Sequence, residues 1–352
     1  MSAGERPLRV ALDLSATRLG QAGVARTALA LADALDAQPG VEVLRLGTGP
    51  VPAPGSTGRR ALALRQDLLW HPRGARREAR ARGADVLHAP LPRGPLGAGS
   101  PPTVITVHDL AVIRHPETLS GWNRRYTRGT LRRITAAADA VVAVSEDTAA
   151  DLAAFAPALQ DRIHVIGNGV STFWAADDDL PSPVEGPYVL AVGTPEPRKN
   201  LARLTEAMRR RRDAGAPERL VLAGADGWGA DEVPAEDWVV RLGRVDDRTL
   251  RALYRGAACV AVPSLHEGSG LPVLEAFAAG APLACARTGA LPETAGDAAV
   301  LVESLDPRSI AAGIDEAIAR ADELVARGRA RAAASGWERA AARHVELYRS
   351  LA

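Results

Sequence analysis

Two glutamates stand close together in the stretch HEGSGLPVLEAFAAG, residues 266–280. Glu267 lies beside a Gly-Ser-Gly turn, and Glu275 lies inside a predicted helix that starts at Leu271 and ends at Gly280. The free N–H groups at the start of a helix attract anions. Two interpretations are open: the acids cap the helix, or they hold hydroxyl groups of a ligand whose phosphates bind at the helix start.

The turn between the glutamates supplies the backbone for such an anion. Its N–H groups, from Gly268 through Ser269 and Gly270 to Leu271, are expected to point at a phosphate. Two glutamates at this spacing also occur by chance. A strand followed by E-G-x-G-L-P-x-L-E and a helix is far more specific, so the whole pattern favours the ligand.

A basic loop in AVGTPEPRKNLARLTEAM forms the second candidate feature. Arg198 and Lys199 directly precede Asn200, which is predicted to cap the next helix. Two cations at a helix start oppose the helix dipole, so a structural role explains them poorly. A phosphate between them explains them better, because arginine offers a fork of donors and lysine a point charge.

Two residues of the amino-terminal half are weaker candidates. His108 follows the strand pattern TVITV, where a lone histidine is more often structural or merely exposed. Gly23, in RLGQAGVAR, marks a turn before a helix and predicts a close approach of the backbone to phosphate. Turns use glycine for many other reasons, which stay open here.

The elements that must position these residues are short apolar strands alternating with longer helical patterns. One series runs from LRVALDL to IHVIGNGV, and a second from PYVLAVGT to AAVLVE. This alternation predicts an α/β fold of two Rossmann-like domains, with parallel sheets facing a central cleft. Ligands of such sheets bind beyond the carboxyl ends of the strands, which is where all the candidate loops fall.

The predicted domain organisation follows from composition. The chain has 352 residues, 47% of them hydrophobic, enough for two cores. We expect an acceptor-side domain over 1–175 and an Asp- and Pro-rich linker over 176–186. A nucleotide-binding domain over 187–336 follows, and then a helix over 337–352 that packs back on the first domain.

Charge and cysteine content narrow the function classes. A net charge of +1 gives no argument for nucleic acid. Cys259 and Cys285 lie in apolar runs that predict reduced core thiols of a cytosolic protein. The first residues lack the pattern of a signal peptide, and no apolar run has the length of a transmembrane helix. We therefore expect a cytoplasmic protein that reaches a membrane, if at all, from its inner face.

Arginine is concentrated in two segments of the predicted first domain. Residues 59–82 hold eight arginines against two acids, and residues 122–133 hold five arginines and no acid. Two interpretations stay open: solvated basic helices, or peripheral docking on anionic lipid.

Many ordered motifs then carry a resemblance over nearly the whole chain. They include DVLHAP, TVHDL, VVAVSED, VGTPEPRKNL, LVLAGADGWG, HEGSGLPVLEAFAAG and LPETAGDAAV. The sequence resembles the retaining glycosyltransferases of family 4, which have the two-domain GT-B fold. Within that family it is most similar to mannosyltransferase-like enzymes that use GDP-mannose.

The resemblance implies roles for the candidate residues. Glu275 would bind the ribose hydroxyls of a nucleotide sugar, and Glu267 would hold hydroxyls of the transferred sugar. Arg198 and Lys199 would bind the diphosphate, and His108 would face the sugar from the other domain. The remaining donor-binding positions would be Gly268, Ser269, Gly270, Leu271, Gly23, and the stretch from Gly243 to Val245 near the base.

Two departures from the family pattern bear on the donor. Ser269 stands where relatives commonly have an aromatic residue, and Ala22-Gly23 stands where they often have Gly-Gly. The acidic run at 177–179 falls in the predicted linker, so no Asp-x-Asp metal motif lies in a suitable loop. The resemblance thus implies retaining, metal-independent transfer without a cofactor.

The implied reaction moves a hexose, with mannose favoured, from a GDP-sugar or UDP-sugar to a glycan or lipid-linked acceptor in cell-envelope or polysaccharide synthesis. Two alternatives stay open: a GT-B-like nucleotide-sugar isomerase or phosphorylase, and a non-catalytic nucleotide-sugar-binding protein.

Overall fold

The computed structural model describes residues 6–20, 23–53, 55–114, 121–177, 180–225, 227 and 233–352. It divides the chain into two compact units. The first domain comprises the chain up to Gly169 together with residues 337–352, and the second domain comprises residues 170–336.

The first domain contains a six-stranded parallel sheet in the order β2-β1-β3-β4-β5-β6. The strands are β1 (Leu8–Asp13), β2 (Val41–Leu46), β3 (Val86–Ala89), β4 (Thr103–Val107), β5 (Ala140–Ala143) and β6 (Ile163–Val165). β3, β4 and β5 are buried along their whole length, as expected for central parallel strands covered on both faces. Their nearly continuous apolar sequences follow from that double burial.

Helices connect these strands. They are α1 (Gly23–Asp36), α2 (Thr57–Arg65), α3 (Ala75–Ala81), α4 (Ala111–Arg114), α5 (Gly121–Ala137) and α6 (Glu146–Phe155), with a π-helix over Gln66–Gly74 joining α2 to α3. Ser56 caps α2 by accepting a hydrogen bond from the Arg59 N–H, and Ser145 caps α6 in the same way from Thr148.

The second domain repeats the architecture with the strand order β12-β11-β10-β7-β8-β9, again all parallel. Its strands are β7 (Tyr188–Val192), β8 (Arg219–Ala223), β9 (Val239–Gly243), β10 (Cys259–Val262), β11 (Leu283–Ala286) and β12 (Val300–Val302). Its helices are α7 (Leu201–Asp213), α8 (Asp247–Gly256), α9 (Leu271–Ala279), α10 (Leu291–Ala295), α11 (Pro307–Ala319) and α12 (Ala321–Ala334).

The last helix, α13 (Trp337–Leu351), belongs to the first domain and packs against α1. Its Tyr348 is fully buried, and the Tyr348 hydroxyl lies 2.6 Å from Nδ1 of His88. Nε2 of His88 lies 2.7 Å from the Thr106 hydroxyl. Hydrogen bonds of buried side chains thus fasten the end of the chain to the first sheet.

The division between the domains falls after Gly169, six residues before the predicted boundary at 175. Residues 170–186 are part of the second domain because their large side chains pack in its core. Trp174 and Val184 are buried there, and the Trp174 ring meets the Tyr254 ring edge-on at 5.8 Å. Asp177 of the acidic run pairs with Arg255, while its other two positions, 178 and 179, lie outside the described residues.

Both cysteines are buried free thiols on neighbouring strands of the second sheet. Burial raises the pKa of Cys259 and of Cys285 to about 12. In the described part of the chain, no helix combines the length and apolar character needed to cross a bilayer.

Candidate functional site

The candidate site of the second domain lies where β7 and β10 end. These strands are hydrogen-bonded parallel neighbours, although β8 and β9 come between them in the sequence. The chain continues from β7 to β8 on one side and from β10 to β11 on the other, so the strand order reverses between β7 and β10. Open α/β sheets form a ligand crevice at such a point. Loop 193–200 follows β7 and loop 263–270 follows β10, so the fold brings the basic loop and the Glu267 turn together.

Glycines shape the basic loop. Gly193 has a φ of 130°, and a Cβ there would lie 3.1 Å from Cε of Lys199. A Cβ on Gly224 would overlap the carbonyl oxygen of Gly193. The lysine side chain therefore lies across bare backbone, and its ammonium group reaches the adjacent loop.

Asn200 does not cap α7 with its side chain, contrary to the sequence interpretation. It adopts a left-handed conformation with φ 59°, which asparagine tolerates better than most residues. Its buried amide donates to the carbonyl oxygens of Pro263, at 3.0 Å, and Ser304, at 2.6 Å. Its side chain thus links the basic loop to the loops that follow β10 and β12, rather than capping the helix.

Glu267 is the centre of a compact charged cluster. Nη1 of Arg198 donates to Oε2 of Glu267 at 2.9 Å, and Nζ of Lys199 donates to Oε1 at 2.7 Å. Arg198 also donates to the carbonyl oxygen of His266 at 2.7 Å. The structure therefore brings these three predicted site residues into direct contact.

Two further members of this cluster were missed by the sequence analysis. The Ser264 hydroxyl donates to Oε1 of Glu267 at 2.8 Å, and Glu196 accepts from Nη2 of Arg198 at 2.6 Å. Glu196 lies in the basic loop two residues before Arg198, and this spacing of an acid and an arginine could have indicated the ion pair. Ser264 offered no signal of its own, because only the turn after β10 directs its side chain to Glu267.

Competing effects set the protonation of Glu267. Burial raises the pKa of this carboxyl, but the charges of Lys199 and Arg198 and the hydrogen bonds from Lys199 and Ser264 outweigh it. The net effect lowers the pKa of Glu267 to about 2. Glu267 is therefore ionised at neutral pH and fixes both cations.

The predicted helix start is built by backbone conformation. Gly270 has a φ of 64°, and a Cβ there would press on Leu291 at 3.2 Å. α9 begins at Leu271, and Gly280 follows its last turn with a φ of 80°. Ser269 accepts, through its carbonyl oxygen, a hydrogen bond from Thr294 at 3.0 Å. Together with Gly268, these residues form the turn that leads from Glu267 into α9.

Glu275 is buried in α9, and its Oε2 accepts a hydrogen bond from the Tyr254 hydroxyl at 3.0 Å. Gly243 ends the edge strand β9 with a φ of 64°, and Val245 packs against the core below. Both residues thus lie at or just after the carboxyl end of β9, the outermost strand, which β8 separates from β7.

His108 and Gly23 belong to the first domain. Gly23 is the exposed first residue of α1, and its predicted neighbour in the turn, Ala22, lies outside the described residues. His108 follows β4 and donates from Nε2 to the carbonyl oxygen of Pro90 at 3.0 Å. Burial lowers the pKa of His108, against the bond to Pro90 and the charge of Asp109, which raise it.

The orientation of His108 fixes its tautomer. Because Pro90 can only accept, Nε2 carries the proton and Nδ1 of the neutral ring is the acceptor. The ring lines a small cavity of the first domain with Thr27, Asn168 and His344.

Comparisons with known proteins decide the family. Residues 21–173 match Glycosyltransferase Family 4, and residues 186–320 match Glycosyl transferases group 1. The chain is 30% identical over 273 residues to O-antigen chain mannosyltransferase B of Escherichia coli, covering 70% of each protein. The chain belongs to glycosyltransferase family 4. Alignments to further curated relatives cover between 53% and 66% of their length.

Solved structures agree in fold. Sucrose-phosphate synthase from Thermosynechococcus elongatus superposes with a TM-score of 0.71 at 21% identity, over 99% of both chains. Anabaena HepE in complex with UDP and glucose superposes with a TM-score of 0.69 at 16% identity, over 97% of this chain and 100% of that one. This family 4 glycosyltransferase therefore has the GT-B fold of two Rossmann-like domains.

Proposed function

We propose that this glycosyltransferase moves a hexose, with mannose favoured, from a nucleoside diphosphate sugar to a glycan or lipid-linked acceptor. We propose further that the transfer retains the anomeric configuration and needs no metal. The observation that carries the proposal is Glu267 held between Arg198 and Lys199 at the carboxyl ends of two adjacent parallel strands.

The cation pair suits a diphosphate. Among the described residues, Nζ of Lys199 has one hydrogen-bond partner, Glu267, and an ammonium group has three donors. Phosphate oxygens can take the remaining two. Glu267 and Glu196 balance the cations before the donor binds, so neither positive charge is left unpaired in a buried place.

The start of α9 supplies further donors. Helix geometry leaves the first N–H groups, here those of Gly270 and Leu271, without an acceptor inside the helix. Such groups and the helix dipole favour phosphate. The turn therefore supports binding of the diphosphate beside the cation pair.

Catalysis follows from where charge develops. Breaking the bond between the anomeric carbon and the diphosphate places negative charge on the leaving group and positive charge on the sugar ring. Arg198, Lys199 and the helix start stabilise the first, with each donor worth roughly 3 kcal/mol. The carboxylate of Glu267 favours the second and holds sugar hydroxyls. The acceptor hydroxyl attacks the face that the diphosphate leaves, which retains the configuration, and its proton passes to the departing diphosphate oxygen.

The finer parts of the proposal draw on different sources. Mannose is favoured because the Escherichia coli relative is named as a mannosyltransferase. A structural neighbour is a complex with UDP and glucose, so both GDP-sugars and UDP-sugars are candidate donors. Buried reduced thiols fit a cytoplasmic setting, where an acceptor bound to lipid would be met at the inner membrane face.

Thermal unfolding tests the donor. The purified chain is melted with GDP, UDP, ADP and their sugars in buffer containing EDTA. A nucleotide that binds the folded state raises Tm, and at 100 times its Kd it adds about 2.7 kcal/mol of stability. We expect a GDP-sugar or UDP-sugar to raise Tm. The donor site is wrong if no nucleotide shifts it.

Two variants separate the roles of the glutamates. Glu275→Ala should weaken nucleotide binding, because its carboxylate is proposed to hold the ribose hydroxyls. Glu267→Gln keeps the shape of the site but removes the charge that orients Arg198 and Lys199, so it should mainly reduce transfer and affect nucleotide binding less. Equal losses of binding and transfer in both variants contradict these roles.

A further inference from the structure

Residues 57–74, which form α2 and the π-helix after it, pack with a polar inner face. Gln66, Asp67 and His71 are buried in this segment. Nε2 of Gln66 donates to the carbonyl oxygen of Ser15 at 3.0 Å, and Nη1 of Arg93 donates to Asp67 at 2.7 Å. These polar contacts, together with the Trp70 ring packed against a hydrophobic cluster of the first domain, hold this side in place.

Asp13, at the end of β1, strengthens that attachment. Nε1 of Trp70 lies 3.0 Å from both carboxylate oxygens of Asp13, and Nδ1 of His71 lies 3.4 Å from Oδ2. A Cβ on Gly47 would lie 3.0 Å from the same carboxylate, so the strand ends are packed closely around it. The inner face is thus fixed by a buried carboxylate and its donors.

The outer face of the same segment is apolar. Leu64, Leu68 and Leu69 are 48%, 54% and 61% exposed. An ordinary surface helix turns its apolar stripe to the core and its polar side to water. Here three leucines face water although polar side chains of the same segment are buried. Eight large apolar side chains of the described residues are exposed, and three of them fall within the six residues 64–69.

Arginines surround the three leucines in the sequence. Arg60, Arg65, Arg73 and Arg77 are exposed, and among the described residues none of them pairs with an acid. The two acids of this stretch are already engaged, since Asp67 pairs with Arg93 and Glu78 with Arg82. The segment therefore combines exposed apolar side chains with uncompensated positive charge.

We propose that Leu64, Leu68 and Leu69, with the arginines around them, dock the first domain on an anionic membrane surface. This leucine–arginine face has the composition of a helix that lies in the plane of a bilayer, with leucines among the acyl chains and guanidinium groups at the lipid phosphates. A second copy of the chain fits less well, because a symmetric contact would set the same arginines against each other.

The docking face deepens the proposed function, because a membrane surface would present a lipid-linked acceptor to the first domain. The choice of that acceptor rests on the proposed transfer, whereas binding to lipid can be measured without it.

Co-sedimentation with vesicles tests the proposal. The full chain is mixed at low salt with vesicles of phosphatidylcholine and phosphatidylglycerol, or of phosphatidylcholine alone. We expect binding to the anionic vesicles, weaker binding to the neutral ones, and loss of binding as salt screens the arginines. No binding to anionic vesicles, or equal binding to both kinds, overturns the proposal.

The leucines are tested by the triple variant Leu64→Gln, Leu68→Gln and Leu69→Gln, with Leu305→Gln as the matched control. Leu305 is 67% exposed in the second domain. Burial of a leucine is worth about tenfold or more in affinity, so the triple variant should bind about 1000-fold more weakly. Unchanged vesicle binding in the triple variant, or equal loss in the control, contradicts the assignment.

The arginines are tested by Arg65→Gln with Arg73→Gln, against Arg248→Gln with Arg308→Gln in the second domain. All four are exposed. Each arginine near an anionic surface contributes about fivefold, so the first pair should lower vesicle affinity roughly 25-fold and the second pair should not. Equal behaviour of the two pairs contradicts the docking face.

Two readouts keep the outcomes distinct. Sedimentation of the free chain shows whether the triple variant abolishes a self-association of the parent, which would assign the leucines to a protein contact and overturn lipid docking. The Tm shift with nucleotide should be the same in all these variants as in the parent. A parent that shifts with nucleotide but ignores vesicles leaves the transferase proposal intact and removes only the docking face.

Discussion

The two domains share one architecture, and each contains a buried polar cluster that is held together in a different way. In the second domain, Glu267 and Glu196 are paired with Arg198 and Lys199, so charge is compensated by charge. In the first domain, His88 and His344 pack with Tyr348 between the sheet and α13. Burial lowers the pKa of both histidines, to about 4 for His344, so this cluster is neutral at pH 7.

The difference teaches what each cluster can do. A buried ion stays charged only while its partners are in place, and removing one partner costs about 3–5 kcal/mol. A cluster of that kind can exchange part of its pairing for an anionic ligand. Neutral hydrogen bonds, worth about 1 kcal/mol each, fasten a helix but offer a diphosphate no charge. This contrast supports the proposal that the donor binds at the charged cluster of the second domain.

The largest expected effect comes from Arg198→Ala. This change removes a cation proposed to stabilise the leaving diphosphate, so kcat should fall by about 100- to 1000-fold. Arg210→Ala is the control, because Arg210 forms an ion pair at 2.9 Å with Glu206 on the exposed side of α7. Steady-state transfer assays measure both. Similar rates in the two variants would show that the charged cluster has no catalytic role.

Next in size is the effect of Glu267→Gln on stability. The pKa of Glu267 is lowered from 4.5 to about 2, so its carboxylate contributes on the order of 3 kcal/mol at pH 7. The folded state binds fewer protons, so this contribution is present above pH 4.5 and is lost as pH falls toward 2. Unfolding free energies of parent and variant should therefore converge over that range. A constant gap would contradict the ion-pair explanation.

The first domain should respond to acid at higher pH. The pKa of His344 is lowered from 6.5 to about 4 by burial, so the unfolded chain binds more protons between these values. Stability present above pH 6.5 is lost as pH falls, by about 2 kcal/mol at pH 5. His344→Gln should remove that part of the slope, as measured by hydrogen exchange of first-domain peptides. Second-domain peptides serve as the internal control, and an unchanged first-domain slope would refute the assignment.

The smallest effect is expected for Tyr254→Phe. The change removes the hydroxyl that donates to Glu275 and leaves the ring in the core. A hydrogen bond of about 1 kcal/mol predicts a fivefold loss of nucleotide affinity. Tyr188→Phe is the matched control, since its hydroxyl donates to the carbonyl oxygen of Leu253. Calorimetric titration measures the nucleotide affinity of both variants. An equal loss of affinity in both would show that the Tyr254 hydroxyl has no specific role in the donor site.

Much of the fold could be predicted from the sequence because parallel strands leave a strong local pattern. The run PYVLAVGT contains β7, Tyr188–Val192, and LRVALDL contains β1, Leu8–Asp13. The GT-B fold and the family, which the ordered motifs indicated, are confirmed. The roles of the individual site residues stay predictions.

What the sequence could not provide was set by contacts distant along the chain. The pairing of Glu267 with Arg198 depends on β10 returning beside β7, and no local pattern specifies which groups then meet. The sequence predicted Asn200 as a helix cap because asparagine is common at that position. Its side-chain amide instead donates to two carbonyl oxygens on other loops. The exposed leucines Leu68 and Leu69 could not be predicted, because the repeat of about 3.6 residues that identifies the faces of an α-helix does not describe the π-helix over Gln66–Gly74.

The bridge between Val170 and Gly336 has a practical consequence. These residues are the two ends of the second domain, and the Val170 N–H donates to the carbonyl oxygen of Ser335 at 2.8 Å. A segment whose ends already touch is suited to transplantation. We therefore expect that residues 170–336 can be exchanged as one segment between related transferases, and such a chimera would test whether nucleotide preference moves with the segment.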